Sequence, residues 1–132
     1  MIVVDTSALF GVLQAEPEAA RLLDILVHNR IWLPASVLVE ANITAAGRAL
    51  TKDLGDLIAS FNAQVVPLDH AIADLAIDGF RRYGKGRHKA GLNFGDCLVY
   101  ATAKHLNLPL LYKGQDFLHT DLEPALRPDR RN

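Results

Sequence analysis

The chain has a single cysteine, Cys97, so an intramolecular disulfide is excluded and a reducing cytoplasm is the expected setting. No apolar run approaches the ~20 residues that a membrane-spanning helix needs, so no membrane role is expected. Met1-Ile2-Val3-Val4-Asp5 offers neither a basic start nor the apolar stretch of a secretory signal. An excess of positive charge is also missing. Fourteen Lys and Arg stand against 15 Asp and Glu, a net charge of −1, so any pull on nucleic acid must be local. His28, His70, His88, His105 and His119 are scattered without ligand spacing. No Gly-x-Ser-x-Gly elbow exists, which argues against serine-hydrolase chemistry.

What is present is an ordinary globular balance: 50% hydrophobic and 22% charged residues in 132, enough for one domain with a real core. Ile2–Val4 reads as a short buried strand, and Ile31–Leu33, Gln64–Val66 and Leu108–Tyr112 read as three further strands. Pro34 ends the second, and a final short strand around Leu122–Leu126 is allowed. Between them, Asp5-Thr6-Ser7 caps a helix through Leu13. Pro17 opens a second helix with Leu22, Leu23 and Leu26 on one face. Ser36–Ala46, stopped by Gly47, and Lys52–Phe61 are two more. Asp69 caps a helix that should bury Ile72, Leu75, Ala76, Phe80 and Tyr83 before Gly84. Phe94–Leu106 is apolar almost all round and should be buried. Strand and helix alternate without repeat or linker, which predicts a three-layer α/β/α domain on a mostly parallel sheet. From about residue 127 the chain is a polar tail, expected to be mobile.

Four acids stand where solvated acids are out of place. Asp5 ends the first strand, Glu40 interrupts the apolar third helix, Asp96 opens the apolar last helix, and Asp116 follows the fourth strand across a turn. In an open α/β sheet, residues just past the strand ends meet in the crevice where ligands bind. Four carboxylates there repel one another unless a cation lies among them, and hard oxygen ligands suit Mg²⁺ or Mn²⁺. Singly, Asp5 and Asp96 also read as helix caps and Asp116 as a turn residue. Glu40 has no such reading, because acids are almost never buried unless paired.

Arg81 to Lys89 carries five cations and no acid just before the helix of Asp96. Lys85, Arg87 and Lys89 in this stretch are candidates to hold a nucleic-acid backbone, against the ordinary reading of a solvated mobile loop. Its Gly79-to-Gly86 spacing mimics a P-loop but fails, since Gly86 occupies the Ser/Thr position and a helix precedes it. Thr6, Ser7 and Asn93 are candidates to orient the acids or simply to cap helices. Ser36, one turn before Glu40, has the same two readings. Cys97 and Trp32 read as packing residues.

Four pieces of the chain, in order, resemble one family: Val3-Val4-Asp5-Thr6-Ser7-Ala8-Leu9, Ser36-Val37-Leu38-Val39-Glu40, Gly86-Arg87-His88 with Leu92-Asn93-Phe94-Gly95-Asp96-Cys97, and Leu110 to Phe117. The family is the PIN-domain ribonucleases, and within it the VapC toxins of bacterial VapBC toxin–antitoxin pairs. The resemblance implies a PIN-like fold and an acidic quartet of Asp5, Glu40, Asp96 and Asp116 that holds Mg²⁺ or Mn²⁺. It also implies support from Thr6 or Ser7 and Asn93, an RNA substrate, a VapB-like antitoxin and a homodimer. Two positions depart from the pattern: Gln115, where such toxins often carry an acid or Asn, and Lys89, where a proline is common.

These features predict a metal-dependent endoribonuclease acting as a toxin. A non-catalytic RNA- or antitoxin-binding module is the alternative from another class. A phosphoacceptor receiver domain, with Asp69 as acceptor, would require a pair of acids after the first strand, and Thr6 and Ser7 stand there. A haloacid-type phosphatase would need Asp where Ser7 is.

Overall fold

A computed structural model describes residues 1–127. The polar tail expected to be mobile falls almost wholly outside the described residues. Within them, strands β1 (Ile2–Val4), β2 (Ile31–Pro34), β3 (Ala63–Val66) and β4 (Leu110–Leu111) alternate with helices α1 (Thr6–Leu13), α2 (Ala19–His28), α3 (Ala35–Gly47), α4 (Thr51–Ser60), α5 (His70–Tyr83) and α6 (Phe94–Leu106). The sheet is parallel throughout, in the order β3-β2-β1-β4. Its helices enclose it as the α/β/α sandwich that the alternation predicts.

This order places the functional crevice. The chain builds outward from β1 through β2 to β3, then crosses back to lay β4 on the other side of β1. The reversal between β1 and β4 makes their carboxyl ends a topological switch point, where flanking loops diverge and leave a cleft. Val3 and Val4 pair with Leu110 and Leu111, and Asp5 N–H continues the ladder to Leu111 O at 2.9 Å. Every side chain of β1 and β4 is buried, so the acid that follows β1 is anchored by the middle of the core.

Several expectations need correction. Leu22 and Leu26 are buried but Leu23 is 39% exposed, because α2 presents a narrower face than a three-leucine stripe. Pro17 lies in the turn before α2, which begins at Ala19. Pro34 is the last paired residue of β2, facing Val66. The possible last strand reduces to one bridge, Leu110 with Pro124. On α5, Ile72 and Ala76 are buried, whereas Phe80 is 41% exposed and leans under the Arg87 guanidinium, 5.4 Å from its ring centroid. The centre of α6 is buried as expected, at Cys97 and from Val99 to Ala103, but its ends are not, and Phe94 is 82% exposed. Trp32 is half-buried, with an indole nitrogen that finds no partner among the described residues.

The α5–α6 pair depends on a glycine. A β-carbon at Gly79 would stand 2.6 Å from Tyr100 Cδ1 and 2.9 Å from its Cε1. Tyr100 is almost fully buried and its hydroxyl donates to Asp121 Oδ1 at 2.8 Å, so the ring has no room to withdraw. Gly79→Ala should therefore cost about 1–3 kcal/mol despite its better helix propensity. A thermal melt checks this: an unchanged or higher midpoint would show that the helices separate freely.

Candidate active site at the switch point

Asp5 is both the N-cap of α1 and the first residue beyond β1. It is 7% exposed. Ser7 donates to its Oδ2 twice, from the backbone N–H at 3.1 Å and from Oγ at 2.5 Å. The same Ser7 hydroxyl accepts from the Lys113 N–H at 2.9 Å. One hydroxyl thus joins the acid after β1 to the loop after β4. Ser7 has no capping role separable from this, so its two readings merge.

Glu40 does not sit in a buried environment. It lies on an open face of α3 beside Val39 and Ile43, which are 59% and 69% exposed. Its partner is Thr6, whose Oγ1 donates to Oε1 at 2.6 Å. Ser36 neither caps α3, whose N-cap is Pro34, nor bonds Glu40. The other oxygen of Glu40 comes over the start of α6: a β-carbon at Gly95 would be 2.8 Å from Oε2. Gly95 thus lets the Glu40 side chain of α3 come down over the first turn of α6. Its role is invisible in the sequence, where it reads as an ordinary first-turn residue.

Asn93 and Asp96 form a reciprocal capping box on α6: Asp96 N–H donates to Asn93 Oδ1 at 2.8 Å, and Asn93 N–H donates to Asp96 Oδ2 at 3.1 Å. Asp116 is exposed on the loop after β4. Its neighbour Phe117 is buried and packs edge-on against Tyr112, with centroids 5.4 Å apart, which fixes where the loop passes.

Burial raises the Asp5 carboxyl to about 6, with the two Ser7 bonds opposing and the Glu40 charge adding. Asp96 is also raised to about 6, first by burial and then by the charges of Asp116, Asp5 and Glu40, with the Asn93 bond opposing. All four acids therefore share one electrostatic neighbourhood. Among the described residues, no three His, Cys, Asp or Glu side chains are gathered closely enough to grip a metal as they stand. Each acid is instead held by its own tether, Asp5 by Ser7, Glu40 by Thr6 and Asp96 by Asn93. The donor set itself is wholly hard oxygen, the chemistry that suits Mg²⁺ or Mn²⁺. Two of its carboxylates are destabilised as anions, which a cation would relieve.

Asp5, Thr6, Ser7, Glu40, Asn93 and Asp96 line a common cleft of about 380 Å³. The cleft also reaches Gln14, Thr44, Arg48 and Lys113, which received no role from the sequence. Lys85, Arg87 and Lys89 are exposed on the α5–α6 loop. That loop is built rather than free: Lys85 N–H donates to Leu92 O and Leu92 N–H to Tyr83 O, each at 2.9 Å. His88 Nδ1 accepts from Ala90 N–H at 3.0 Å. Asp69 caps α5 after the edge strand β3, its carboxylate accepting from the Ile72 N–H at 3.0 Å. It stands apart from the switch point, which removes the support for a receiver domain. Cys97 is buried and its thiol is pushed up by burial and by Asp96, as suits a packing residue.

The raised carboxyls make a prediction for metal-free protein. Unfolded Asp ionises near 3.8, whereas folded Asp5 and Asp96 ionise near 6. Between these values the folded state binds more protons. The stabilisation is present below about pH 4 and is lost as pH rises through about 6, by up to ~3 kcal/mol for Asp5. Urea unfolding in EDTA should show stability falling from pH 4.5 to 7, and Asp5→Asn should flatten that fall. A variant with the wild-type slope would show that Asp5 is not the titrating group.

Known proteins share this architecture. The PIN domain family matches residues 2–123. The chain is 40% identical over 131 residues to ribonuclease VapC30 of Mycobacterium tuberculosis, covering 96% of this chain and all of that protein. The crystal structure of M. tuberculosis VapC20, a sarcin-ricin loop cleaving toxin, superposes with a TM-score of 0.74 at 16% identity, covering 97% of this chain and 100% of that one. A toxin–antitoxin complex from Klebsiella pneumoniae gives 0.72 at 16% identity over 92% of this chain and 93% of that one. At such identities the two structures speak for the fold alone, whereas the family match and the 40% identity extend over nearly the full length. The chain belongs to the PIN domain family and, within it, to the VapC ribonucleases.

Proposed function

We propose that the protein is a metal-dependent endoribonuclease and the toxin of a toxin–antitoxin pair. The observation that carries this reading is the convergence of Asp5, Glu40 and Asp96 on one cleft, with Asp116 electrostatically coupled to Asp96. Asp5 and Asp96 would hold Mg²⁺ or Mn²⁺ directly, with Glu40 and Asp116 as direct or water-mediated ligands. When bound, the ion supplies Lewis acidity: a water nucleophile at neutral pH and charge neutralisation at the phosphoryl oxygens.

The chain's own residues do the positioning. Ser7 fixes Oδ2 of Asp5, leaving Oδ1 without a side-chain donor among the described residues. Thr6 holds Oε1 of Glu40, and Asn93 holds Oδ2 of Asp96. Each acid therefore keeps one oxygen tethered and one available, which limits the reorganisation needed to engage a ligand. A carboxylate of the cluster can accept the proton of the attacking water. Attack by water leaves the 2′-hydroxyl unused, so 5′-phosphate and 3′-hydroxyl ends are expected. Lys85, Arg87 and Lys89, on the loop that leads into Asn93, would bind RNA phosphates regardless of sequence.

Partners follow from the same reading. A VapB-like antitoxin would lay a segment across the acidic cleft, an Arg pairing with the carboxylates in the metal's place. Val39, Ile43 and Phe94, exposed apolar side chains on α3 and α6, favour a homodimer. Among the described residues no helix is long and apolar enough to cross a membrane, and a cytoplasmic site of action fits the RNA substrate.

Purified protein should cleave single-stranded RNA with Mg²⁺ or Mn²⁺, stop in EDTA, and leave 5′-phosphates that a 5′-phosphate-dependent exonuclease can digest. Asp96→Asn should lose cleavage by 100-fold or more, on the order of 3 kcal/mol of barrier. Undiminished cutting in EDTA would contradict the metal mechanism. Persistent RNA or antitoxin binding with no cleavage under any divalent ion would favour the non-catalytic module.

A further inference from the structure

The cleft is electrically lopsided. The carboxylates of Asp5, Glu16, Glu40 and Asp96 line it, together with two cations, Arg48 and Lys113. The two cations differ in state. Lys113 is tied to Glu16, and Glu18 lies 3.5 Å from its ammonium. Arg48 has no carboxylate partner among the described residues. Its Nη1 donates instead to the neutral Gln14 Oε1 at 2.7 Å, and its guanidinium stands 5.3 Å over the Phe10 ring.

An exposed arginine beside an acidic cleft would ordinarily swing toward the acids. Here a neutral amide and an aromatic face hold it, so its charge is uncompensated and its plane is fixed. The helix geometry extends the same track. Glu40, Thr44 and Arg48 follow one another at intervals of four residues on α3, all lining the cleft. The spacing carries Arg48 about 12 Å along the axis from Glu40. Gln14, its partner, is the C-cap of the helix that Asp5 begins. Thus α1 and α3 run away from the acids together and are joined at their far ends by the Arg48–Gln14 bond.

We propose that Arg48 is a phosphate-binding subsite for the RNA backbone, holding a phosphate that flanks the scissile one and so fixing which stretch of strand crosses the acids. The inference rests on the ribonuclease reading above and adds a binding residue to it. The guanidinium spends one of its five N–H donors on Gln14 and keeps a fork that suits a phosphate. A cation here also counters the repulsion that an acid cluster imposes on a polyanion. Thr44, between Glu40 and Arg48, adds a hydroxyl along the path. The plainer alternative is that Arg48, the C-cap of α3, only complements the negative end of the helix dipole.

The test separates these by salt dependence. A fluorescein-labelled single-stranded RNA 12-mer is titrated by anisotropy at several salt concentrations in an Asp96→Asn background with Mg²⁺. Adding Arg48→Ala should weaken binding about tenfold and reduce the log–log salt slope by about 0.7, the counterion share of one single-strand phosphate. Arg48→Lys should keep the slope but lose part of the affinity, because an ammonium cannot fork. Replacing successive linkages with neutral methylphosphonates should find one position whose loss matches Arg48→Ala and adds nothing to it. In the otherwise wild-type enzyme Arg48→Ala should raise KM more than it lowers kcat. An Arg48→Ala protein with the wild-type slope and no matching linkage overturns the subsite, whatever its melting temperature. Because the slope is read in binding, this holds even if the wild type cleaves nothing, a result that would count against the ribonuclease reading instead.

Discussion

Asp5 is a carboxylate held almost out of water at the carboxyl end of a central strand, with more acids in its electrostatic reach. A charged group so placed is costly unless something compensates it. Ser7 supplies two hydrogen bonds, yet the carboxyl still sits near 6. The rest of the site can be understood from that residual cost. Thr6 and Asn93 hold Glu40 and Asp96 by separate tethers, and Gly95 is bare enough to let Glu40 approach. The fold thus confines several anions to one cleft and leaves their repulsion to be settled by a ligand. A divalent cation and a polyanion bound with it can settle it together.

The switch point makes this possible. Because β4 returns beside β1, the two segments that follow those strands diverge from one place, and the Ser7 hydroxyl ties them there by accepting from Lys113 N–H. The helices α1 and α3 then lead away as the walls of a trough. Acids stand at its start, and an uncompensated arginine stands at its end. Charge of both signs along one groove suits a substrate that carries regularly spaced phosphates better than it suits a compact anion.

Much of this was legible in the sequence. β-branched runs and capping residues gave the alternation of strand and helix, since both depend on neighbouring residues. Acids placed just past the strand ends marked the crevice. Glu40 was found for a reason that the structure does not support: its apolar neighbours suggested burial, but Val39 and Ile43 face outward. Periodicity shows that a face is apolar and not what covers it, and Leu23, Phe80 and Phe94 illustrate the same limit. The residues missed altogether share one trait. Gly95, Lys113, Arg48 and Gln14 matter through contacts between segments distant in the chain, which no local pattern records. The basic loop was expected to be loose on composition, but its backbone hydrogen bonds, invisible to composition, close it.

The proposed cation site needs carboxylates that repel one another when no divalent cation lies among them. Thermal melts of wild type and Asp96→Asn, each with EDTA and with Mg²⁺, test it most directly. Wild type should gain about 2.7 kcal/mol at a hundredfold excess of Mg²⁺ over Kd. The nearly isosteric Asn variant should be at least as stable as wild type in EDTA and should gain much less from Mg²⁺. If Asp96→Asn instead lowers metal-free stability and leaves the Mg²⁺ response intact, Asp96 is a helix cap only and the cation site is contradicted.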